Sequence, residues 1–581
     1  MSWIIGASGE IDRELKNTIE LYANNPLYKF VENNLFVLAG GYQSTCNFSK
    51  SERTNENLLS VGIGIKNGGD DYGFVKNDEW FNYASQKNYN ALDGHYVILY
   101  WNELEIKVFT DKLGLRDLYL YNSPQGYVIF STRLDWLAKI VKAKLNFKVF
   151  ASKWLLFNQL STDCIFNDIE RITSGTTLNI NRITNNLSIQ KNNWTPILQK
   201  RNFSPIDFSN KLENLLIFPI RKHNQISLSL SGGLDSRVLL SFLMKIDNSN
   251  WETHTFGDRK NADSIIVEKI ASSLNIPHIQ IDLPLPDPST CLDEMRAYIS
   301  QTILNSQASE VLQLRNYSAL SGRNEVIIDG GFGEIWRRDF FNRLLYSGYK
   351  DLLNRNARSI LPHLKYDKAD IFTPDINAIM HKGAIEQIES LFEELPAIEL
   401  IGAENWIDLF AIKTRLRNYY ANEQSRIDSL IFGYMPFAQS SLLENLFNLN
   451  IIHRKNGKLF KYLVSKNYNK LTKYPLSKGD AIYPFWFNTY LARIWKILSQ
   501  HHIIKSYKNE NQKNIIEIFS TFILDKINSR EVKECEYYDY SKLIKLANAL
   551  RNNKLDKTKL NEIDWWLSFE LFRENKNYKK L

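Results

Sequence analysis

The chain has 581 residues, which is too many for one core and predicts roughly two to four domains. Its hydrophobic content of 44% and charged content of 23% are ordinary for a soluble globular protein. The net charge of +8 comes from 72 basic and 64 acidic residues, so it indicates a solvated surface with a mild basic bias. We expect no nucleic-acid partner, although a weak preference for an anionic partner stays open.

The cysteines Cys46, Cys164, Cys291 and Cys535 lie far apart, with neither a C-x-x-C pair nor a zinc-type spacing. We therefore expect no disulfide framework or metal knot and favour a reducing cytoplasm. The first residues lack a basic segment and a long apolar stretch, so no signal peptide is expected. No run approaches the roughly 18 apolar residues of a membrane helix, so we expect no membrane partner.

The first part of the chain is predicted to be rich in β-strands. Short runs of β-branched and aromatic residues are bounded by turn residues, as is typical of strands. The predicted strands are residues 35–41, 96–101, 104–110, 118–121, 127–130, 177–180 and 187–189. A polar turn at residues 122–126 predicts that two of them form a hairpin.

The pattern changes after a polar, proline-containing stretch around residues 193–205, which indicates a linker. We therefore divide the chain into two domains, residues 1–195 and residues 205–581. Helical patterns then alternate with buried strands, of which residues 226–230 and 325–329 are the clearest. Such alternation predicts a parallel α/β sheet, and long periodic helices are predicted from about residue 385 to the end.

Residues 231–236, Ser-Gly-Gly-Leu-Asp-Ser, carry the strongest chemical signal, because they join a predicted strand to an apolar helix start. Free backbone N–H groups and the positive end of the helix dipole make such a turn an anion site. Asp235 would repel a phosphate directly, so it implies a bridging Mg²⁺. The segment lacks the G-K-[ST] of a Walker loop. The alternative is a glycine-rich turn that merely joins strand to helix.

This hexapeptide resembles the pyrophosphatase loop of ATP-cleaving ligases that release pyrophosphate. Its form is similar to that of asparagine synthetases and their relatives, the β-lactam synthetases and lasso peptide cyclases. Residues 255–257, followed by Ala271, Leu274 and His278, resemble the family's next strand and helix. Residues 326–336 resemble its second ATP-side segment, an apolar strand followed by a glycine-rich acidic turn.

The resemblance implies the residues that would hold ATP and Mg²⁺. The ATP contacts would come from Leu230, Ser231, Gly232, Gly233, Asp235, Ser236, Phe256 and Gly330. The family's acidic turn carries a D-E pair, of which Glu334 remains here as the partner of Asp235 for Mg²⁺. Lys478 falls where the family places a lysine against the developing pyrophosphate, with Lys458 and Lys461 as competing choices. Asp235, Glu334 and Lys478 are the implied catalytic residues.

The N-terminal half is similar to class II glutamine amidotransferases. Residues 111–119 resemble the family's R-D-x-x-G-x-x-P-L-Y turn, and residues 130–137 resemble the segment that follows it. The implied fold class is α/β and α+β. It would be an Ntn-type αββα sandwich, followed by a parallel-sheet α/β PP-loop synthetase domain with a helical C-terminal part.

The glutaminase nucleophile of that family is replaced here. The active form exposes an N-terminal cysteine, whereas this chain has Ser2, a far weaker nucleophile near neutral pH. The arginine-containing and G-E-x-Y-N segments that hold glutamine are missing, and residues 69–72 do not replace them. We predict a structural or substrate-docking remnant. Residual hydrolysis by Ser2 is the alternative.

The substrate-side stretch also departs from asparagine synthetases, which read E-x-R-x-P-F-L-D there. Pro436 and Phe437 are kept, but Tyr434 and Gln439 replace the arginine and the aspartate. A pocket for free aspartate requires fixed cations, so this departure weakens that assignment.

We therefore favour an ATP- and Mg²⁺-dependent amide ligase or cyclase. It would form an acyl-adenylate of a small-molecule or peptide substrate that supplies the carboxylate and the amine. Two alternatives are an ammonia-using asparagine synthetase and an inactive ATP-binding regulatory or interaction protein. A homodimer or a biosynthetic partner protein is left open.

Overall fold

The computed structural model describes residues 2–32, 34–51, 55–68, 71–85, 91–192, 194–197, 202–247, 250–323, 325–501, 507 and 511–574. Parts of the predicted linker and residues 69 and 70 lie outside these ranges. Within the described ranges, every helix is too short or too polar to span a bilayer. The four cysteines are free thiols.

Two antiparallel sheets form the N-terminal part. Their strands are β1 Trp3–Gly9, β2 Tyr28–Glu32, β3 Leu35–Gly40, β4 Cys46–Ser51, β5 Glu56–Gly68, β6 Asp71–Phe74, β7 Asp93–Trp101, β8 Glu105–Thr110, β9 Leu118–Asn122, β10 Tyr127–Ser131, β11 Glu170–Ile172, β12 Thr177–Asn181 and β13 Leu187–Gln190. One sheet has the order β11-β9-β10-β1-β3-β2, and the other has the order β13-β12-β8-β7-β5-β4 with β6 beside β5. Every strand predicted in this part is formed, within three residues of its expected bounds.

Alternation along the strands stacks the two sheets between helices. In β3, Val37 and Ala39 face a core shared by both sheets, whereas Phe36 and Leu38 face the opposite side. The outer face of the first sheet packs on α1 (Arg13–Tyr22) and α3 (Leu134–Ile140). The outer face of the second sheet packs on α2 (Glu79–Ser85). The result is the helix–sheet–sheet–helix layering that the sequence predicted.

A parallel sheet carries the second half of the chain, as the alternation of strands and helices predicted. Its strands are β14 Gln225–Ser229, β15 Trp251–Phe256, β16 His278–Ile281, β17 Glu325–Ile328 and β18 Phe432–Tyr434. Their order is β16-β15-β14-β17-β18, and each neighbouring pair is parallel. A separate antiparallel hairpin follows, formed by β19 Leu476–Lys478 and β20 Ala481–Tyr483.

Helices surround the parallel sheet and fill the C-terminal part. The remaining α-helices are α4 Phe147–Leu155, α5 Pro205–Arg221, α6 Leu234–Leu243, α7 Ala262–Leu274, α8 Pro288–Gln301, α9 Ala308–Val311, α10 Asn342–Tyr346, α11 Tyr349–Leu353, α12 Ala357–Leu364, α13 Pro374–Glu394, α14 Ile398–Ile401, α15 Ala403–Ala411, α16 Ala421–Ile427, α17 Ser440–Leu443, α18 Ile451–Arg454, α19 Lys458–Tyr468, α20 Thr489–Gln500, α21 Asn511–Ile518, α22 Ser520–Asn528, α23 Arg530–Lys533, α24 Tyr540–Arg551 and α25 Lys557–Glu574. The 3-10 turns are Gln43–Thr45, Leu312–Leu320, Gly333–Arg337, Pro436–Ala438, Lys455–Gly457 and Asn469–Lys473, and the π-helix is Ile412–Tyr420.

The long helices predicted from about residue 385 onwards are only partly present. The stretch from α15 through the π-helix to α16 is continuous, and α25 is 18 residues long. Between them lie helices of 4 to 12 residues and 3-10 turns. The strand β18 and the β19–β20 hairpin in this region were not predicted.

The C-terminal helix α25 connects the two halves through aromatic packing. The ring centroid of Phe569 lies 5.5 Å from that of Trp154 and 5.9 Å from that of Phe150, both on α4. The ring of Phe372 lies 5.0 Å from Phe569 on another side. One apolar core therefore runs from the first β-sheet to α25.

Phe569→Ala should destabilise the protein by about 3 to 5 kcal/mol, because the buried ring leaves a cavity between α25 and α4. Leu21→Ala, at an exposed position of α1, is the control and should change stability by less than about 0.5 kcal/mol. Chemical denaturation of both variants and the wild type measures these changes. Equal effects for the two variants would contradict the packing described here.

Candidate functional site

The glycine-rich loop lies between the end of β14 and the start of α6, where Gly233 is the N-cap residue. Its neighbours β15 and β17 run parallel to β14, so all three strands end at the same edge of the sheet. Gly330 packs on the loop, because a Cβ atom there would lie 3.1 Å from the Ser236 backbone nitrogen. The predicted strand, turn and helix start are thus formed, and the acidic turn lies against them.

Hydrogen bonds within the protein use several donors of this loop. Ser231 N–H donates to Ser236 Oγ (3.1 Å), and Gly233 N–H donates to Ser231 Oγ (3.2 Å). Gly232 N–H donates to Asp263 Oδ1 (3.0 Å), in the first turn of α7. The sequence predicted free N–H groups here, and at Gly232 and Gly233 that prediction is wrong. An anionic ligand must displace the Asp263 carboxylate to reach Gly232.

The β19–β20 hairpin brings Lys478 to the loop. Ser477 N–H donates to the Gly232 carbonyl (2.9 Å), which fixes the hairpin beside the glycines. Arg237, on α6, donates from Nη1 to the Tyr474 carbonyl (2.7 Å) just before the hairpin. Burial lowers the pKa of Arg237 to about 9, so it remains a cation at neutral pH.

A cavity of about 320 Å³ opens between the loop, the 3-10 turn Gly333–Arg337 and the hairpin. Five predicted residues lie together in its wall: Ser231, Gly233, Asp235, Glu334 and Lys478. Lys461 lines the same cavity, whereas its competitor Lys458 is exposed and outside the wall. The structure therefore places the loop and the predicted lysine around one space.

The other predicted ATP contacts do not line this cavity: Leu230, Gly232, Ser236, Phe256 and Gly330. Leu230, Gly232 and Ser236 are buried within the loop. Phe256 ends β15, where its ring centroid lies 4.7 Å from that of Tyr317. Its role as a nucleotide contact stays a prediction.

Arg337 is the dominant charge of the cavity, and the sequence analysis did not include it. Its Nε lies 2.7 Å from Asp235 Oδ1 and its Nη2 lies 2.9 Å from Asp235 Oδ2, a two-point ion pair. Its Nη1 donates to Asp339 Oδ2 (2.6 Å), which also accepts from Lys478 Nζ (2.9 Å). Burial works to lower the pKa of Arg337, but the carboxylates of Asp235 and Asp339 raise it well above its ordinary value.

Glu334 lies beside this network, and among the described residues no cation forms an ion pair with it. Burial, followed by the negative charge of Asp235, raises the pKa of Glu334 to about 7, and Arg337 only partly opposes this. A carboxyl group that titrates near neutral pH can take or give a proton, which suits a general acid or base. The predicted catalytic role of Glu334 stays a prediction.

The predicted Mg²⁺ contact between Asp235 and Glu334 does not fit this arrangement. Mg²⁺ requires ionised oxygen ligands in near-octahedral geometry. Both Asp235 oxygens pair with Arg337, while burial and the charge of Asp235 raise the pKa of Glu334 and so favour its protonated form. In the part of the chain that the structure describes, no group of three or more His, Cys, Asp or Glu side chains is placed to hold a metal ion. A guanidinium supplies the positive charge at this place.

Three residues of the site escaped the sequence analysis for different reasons. Arg337 and Asp339 follow Glu334 closely in the chain. A predicted site that continued five residues beyond Glu334 would have included them. Asp263 gave no signal, because an acidic residue in the first turn of a helix is explained by the helix dipole alone.

The Ser2 position, where the glutaminase nucleophile was expected, is filled by protein. Ser2 is fully buried, and its N–H donates to Asp428 Oδ1 (3.0 Å). Its hydroxyl group contacts Thr45 Oγ1 and accepts a hydrogen bond from the Tyr42 N–H (3.2 Å). The Asp428 carboxylate also pairs with Arg116, which donates from Nη1 to the Ser2 carbonyl (2.6 Å). A residue of the second half of the chain therefore closes this position.

Tyr434 and Gln439, which were expected to replace a substrate-holding pair, make hydrogen bonds within the protein interior. Gln439 Oε1 accepts from Gly94 N–H (2.8 Å) and its Nε2 donates to the Met435 carbonyl (2.8 Å). Tyr434 is buried, and its hydroxyl donates to the Leu215 carbonyl. Neither side chain lines the cavity.

No protein-family model matches the sequence, and no curated protein matches it. Among solved structures, the NMN synthetase from Francisella tularensis aligns at 21% identity with a TM-score of 0.18, over 24% of this chain. The matched part of the chain spans 59% of the length of that synthetase.

Two further solved enzyme structures also align with this chain. The allosteric regulatory enzyme of purine biosynthesis aligns at 11% identity with a TM-score of 0.22, over 39% of this chain and 60% of its own. The glutamine phosphoribosylpyrophosphate amidotransferase from B. subtilis, complexed with ADP and GMP, aligns at 10% identity with a TM-score of 0.22, over 56% of this chain and 81% of its own. Scores this low carry no argument about function, so the site rests on its own geometry.

Glu334→Gln should stabilise the protein more at pH 8 than at pH 5. The folded chain keeps the Glu334 proton between the ordinary pKa of 4.5 and about 7, so stability is lost as the pH rises through this window. Glutamine cannot ionise, and the variant should gain roughly 2 to 3 kcal/mol over wild type between the two pH values. Denaturation at each pH measures this, with Glu517→Gln at an exposed position as the control. A gain that does not change with pH would contradict the assignment.

The protein should release no glutamate from glutamine, with or without ATP, because the Ser2 hydroxyl is buried and hydrogen bonded. Ser2→Ala should give the same baseline as wild type in an enzymatic glutamate assay. Steady glutamate release that disappears in Ser2→Ala would show that the position is open to substrate after all.

Proposed function

We propose that this protein is an ATP-using, AMP-forming enzyme that joins a carboxylate to an amine. The observation that carries the proposal is the cavity at the carboxyl edge of the parallel sheet. A glycine loop at a helix N-terminus, Lys461, Lys478 and Arg337 face the same space there. Helix N-termini and fixed cations bind phosphate groups, and ligands of open α/β sheets bind at this edge.

The proposed reaction has two steps. A substrate carboxylate oxygen attacks the α-phosphorus of ATP, and the bond to the bridging oxygen of pyrophosphate breaks. An amine then attacks the acyl carbon, loses a proton, and expels AMP. Adenylation makes a poor leaving group into a good one, while the protein supplies positioning and charge neutralisation.

The cations of the cavity and Glu334 each have a role in this proposal. Lys478 and Lys461 face the pyrophosphate. The negative charge of the pyrophosphate grows as the bond between the α-phosphorus and its bridging oxygen breaks. Arg337 adds a cation that its ion pairs with Asp235 and Asp339 already position. Glu334, with its raised pKa, is placed to accept the proton that the attacking amine loses.

The amine and the acid are proposed to come from a specialised substrate, such as a peptide or a natural-product precursor. The closed Ser2 position supports a nitrogen source other than glutamine. Tyr434 and Gln439, which pack in the protein interior, supply no cation for the carboxylates of free aspartate. The proposed class is therefore a ligase or cyclase related in chemistry, and not in substrate, to asparagine synthetases.

One observation favours a second candidate, an inactive nucleotide-binding protein. Arg337 neutralises both oxygens of Asp235, the carboxylate from which an ATP-bound metal contact was expected. A protein that binds ATP in this way could act as an interaction or regulatory partner.

Lys478→Ala should lower pyrophosphate release by about 100-fold or more, because a fixed cation beside the developing charge is lost. Lys458→Ala, an exposed lysine outside the cavity, is the matched control and should retain the wild-type rate. The assay supplies ATP and Mg²⁺ with a panel of acids and amines, including aspartate with ammonium, and measures pyrophosphate, AMP and the amide product.

The same assay separates the candidates. Robust asparagine formation would replace the specialised ligase by an ammonia-using asparagine synthetase. ATP binding with no pyrophosphate for any substrate pair would favour the inactive protein. Equal rates for Lys478→Ala and wild type would show that the cavity is not the reaction site.

A further inference from the structure

A second cavity of about 650 Å³ lies beside the first. Asn456 and Thr489 line both cavities, so they form the boundary between the two spaces. Arg337 faces the first cavity, and the next residue in the chain, Arg338, faces the second. A ligand in the second cavity would therefore lie next to whatever occupies the first.

Arg338 is the unusual feature of this second cavity. Only 5% of the residue is exposed, yet Nη1 and Nη2 have no hydrogen-bond acceptor among the residues that the structure describes. Its nearest carboxylates are too far for hydrogen bonds: Asp408 Oδ2 lies 3.5 Å from Nε, and Glu404 Oε2 lies 3.8 Å from Nη1. Leaving buried guanidinium donors without acceptors is costly. Nη1 and Nη2 are shielded from solvent, so an anion in the cavity would pair with them once the Arg338 side chain turns toward it.

The charges around Arg338 leave room for an anion. Asp408 is shared, because it also accepts a hydrogen bond from Arg454. Glu404 is shared as well, since Lys455 Nζ lies 2.8 Å from its Oε1. Three cations therefore share two carboxylates, although Asp408 Oδ1 has no hydrogen-bond partner among the described residues. Of these five groups, Arg338, Lys455 and Glu404 line the cavity, which leaves one excess positive charge in its wall.

The backbone at Arg338 adds to this picture. The residue has φ +55° and ψ +52°, in the left-handed region, and its carbonyl accepts from Asn342 Nδ2 (2.8 Å). A glycine would adopt this conformation at lower cost, so the arginine side chain is not there for backbone reasons.

Apolar and aromatic groups form another part of the wall. Leu345, Ile401 and Ile451 line the cavity together with Tyr346 and Tyr349. The two tyrosines are 70% and 49% exposed, which leaves their rings free to cover a ligand. A cavity with one cationic side chain that can bind an anion, and with aromatic walls, suits an organic acid with an apolar body.

We propose that the second cavity binds the acid that the enzyme activates, and that Arg338 pairs with a carboxylate of this substrate. The substrate class is an apolar or aromatic acid, such as an N-acylated aromatic amino acid or the end of a peptide. This inference rests on the proposed function for the reaction, but the acid-binding site itself does not require turnover.

The test measures binding of N-acetyl-L-phenylalanine, other N-acylated amino acids and the corresponding primary amides by isothermal titration without ATP. The acid should bind the wild type, and its amide should bind about 10- to 100-fold more weakly, since the charge-assisted pair is lost. Arg338→Gln should weaken acid binding by a similar factor and leave amide binding unchanged. Arg355→Gln, at an exposed arginine outside both cavities, is the matched control.

Two further measurements keep the outcome decisive. If Arg338→Gln does not fold, the acid and the amide are compared in wild type and in Tyr349→Ala instead. Tyr349→Ala should weaken the binding of both the acid and the amide. Equal affinities for acid and amide, unchanged acid binding in Arg338→Gln, or no binding of any acid in the panel would each overturn the proposal.

A separate titration with ATP distinguishes this inference from the proposed function. If ATP does not bind but acid binding depends on Arg338, the proposed function fails and the acid site stands. If ATP is cleaved with some acid while Arg338→Gln binds that acid as tightly as wild type, only the acid site fails.

Discussion

The ion pair between Arg337 and Asp235 sets the character of the candidate site. It joins the first turn of α6 to the turn that follows β17, so the two edges of the cavity are connected by charge. Asp339 and Lys478 extend the connection to the β19–β20 hairpin. Because paired buried charges are expensive to separate, this network holds three chain segments around one space.

A second buried ionic cluster ties the two halves of the chain together. Asp428 reaches into the N-terminal part, where it meets Arg116, the Ser2 N–H and, at 3.6 Å, His95 Nε2. Burial, followed by the charge of Arg116, keeps the pKa of His95 well below its ordinary value, so the imidazole is neutral. Ser2, where a glutaminase nucleophile was expected, contributes here to the contact between the two halves. Interior polar groups with partners favour one particular arrangement of the halves.

The sequence was informative where chemistry and local structure coincide. Residues 231–236 were predictable because a strand, two glycines and a helix start form one local unit. Seven strands of the N-terminal part were also found, because they are short runs of β-branched and aromatic residues between turn residues. The strands β1, β2, β4, β5, β6 and β11 were missed. β1 is buried along most of its length, and glycines, including Gly62 at φ +102°, interrupt the pattern of β5.

Contacts between distant segments were not predictable in the same way. Arg337 pairs with Asp235 only because β17 lies beside β14 in the sheet, and single-sequence patterns do not give strand order. Asp428 and Ser2 are 426 residues apart, and no local pattern connects them. Lys478 was placed by family resemblance, and the Ser477 contact with Gly232 is the physical reason why it lies at the loop.

The Asp263 carboxylate on the glycine loop has a consequence for ligand discrimination. It is tethered to α7, so its effective concentration at the Gly232 N–H is far above that of any dissolved anion. Free inorganic phosphate gains only the contacts that Asp263 already makes, and it is therefore a poor competitor for this position. A nucleotide brings further contacts along its length, which can offset the displacement of Asp263. Under the proposed function, Asp263 would therefore disfavour small anions at the loop relative to larger polyphosphate ligands.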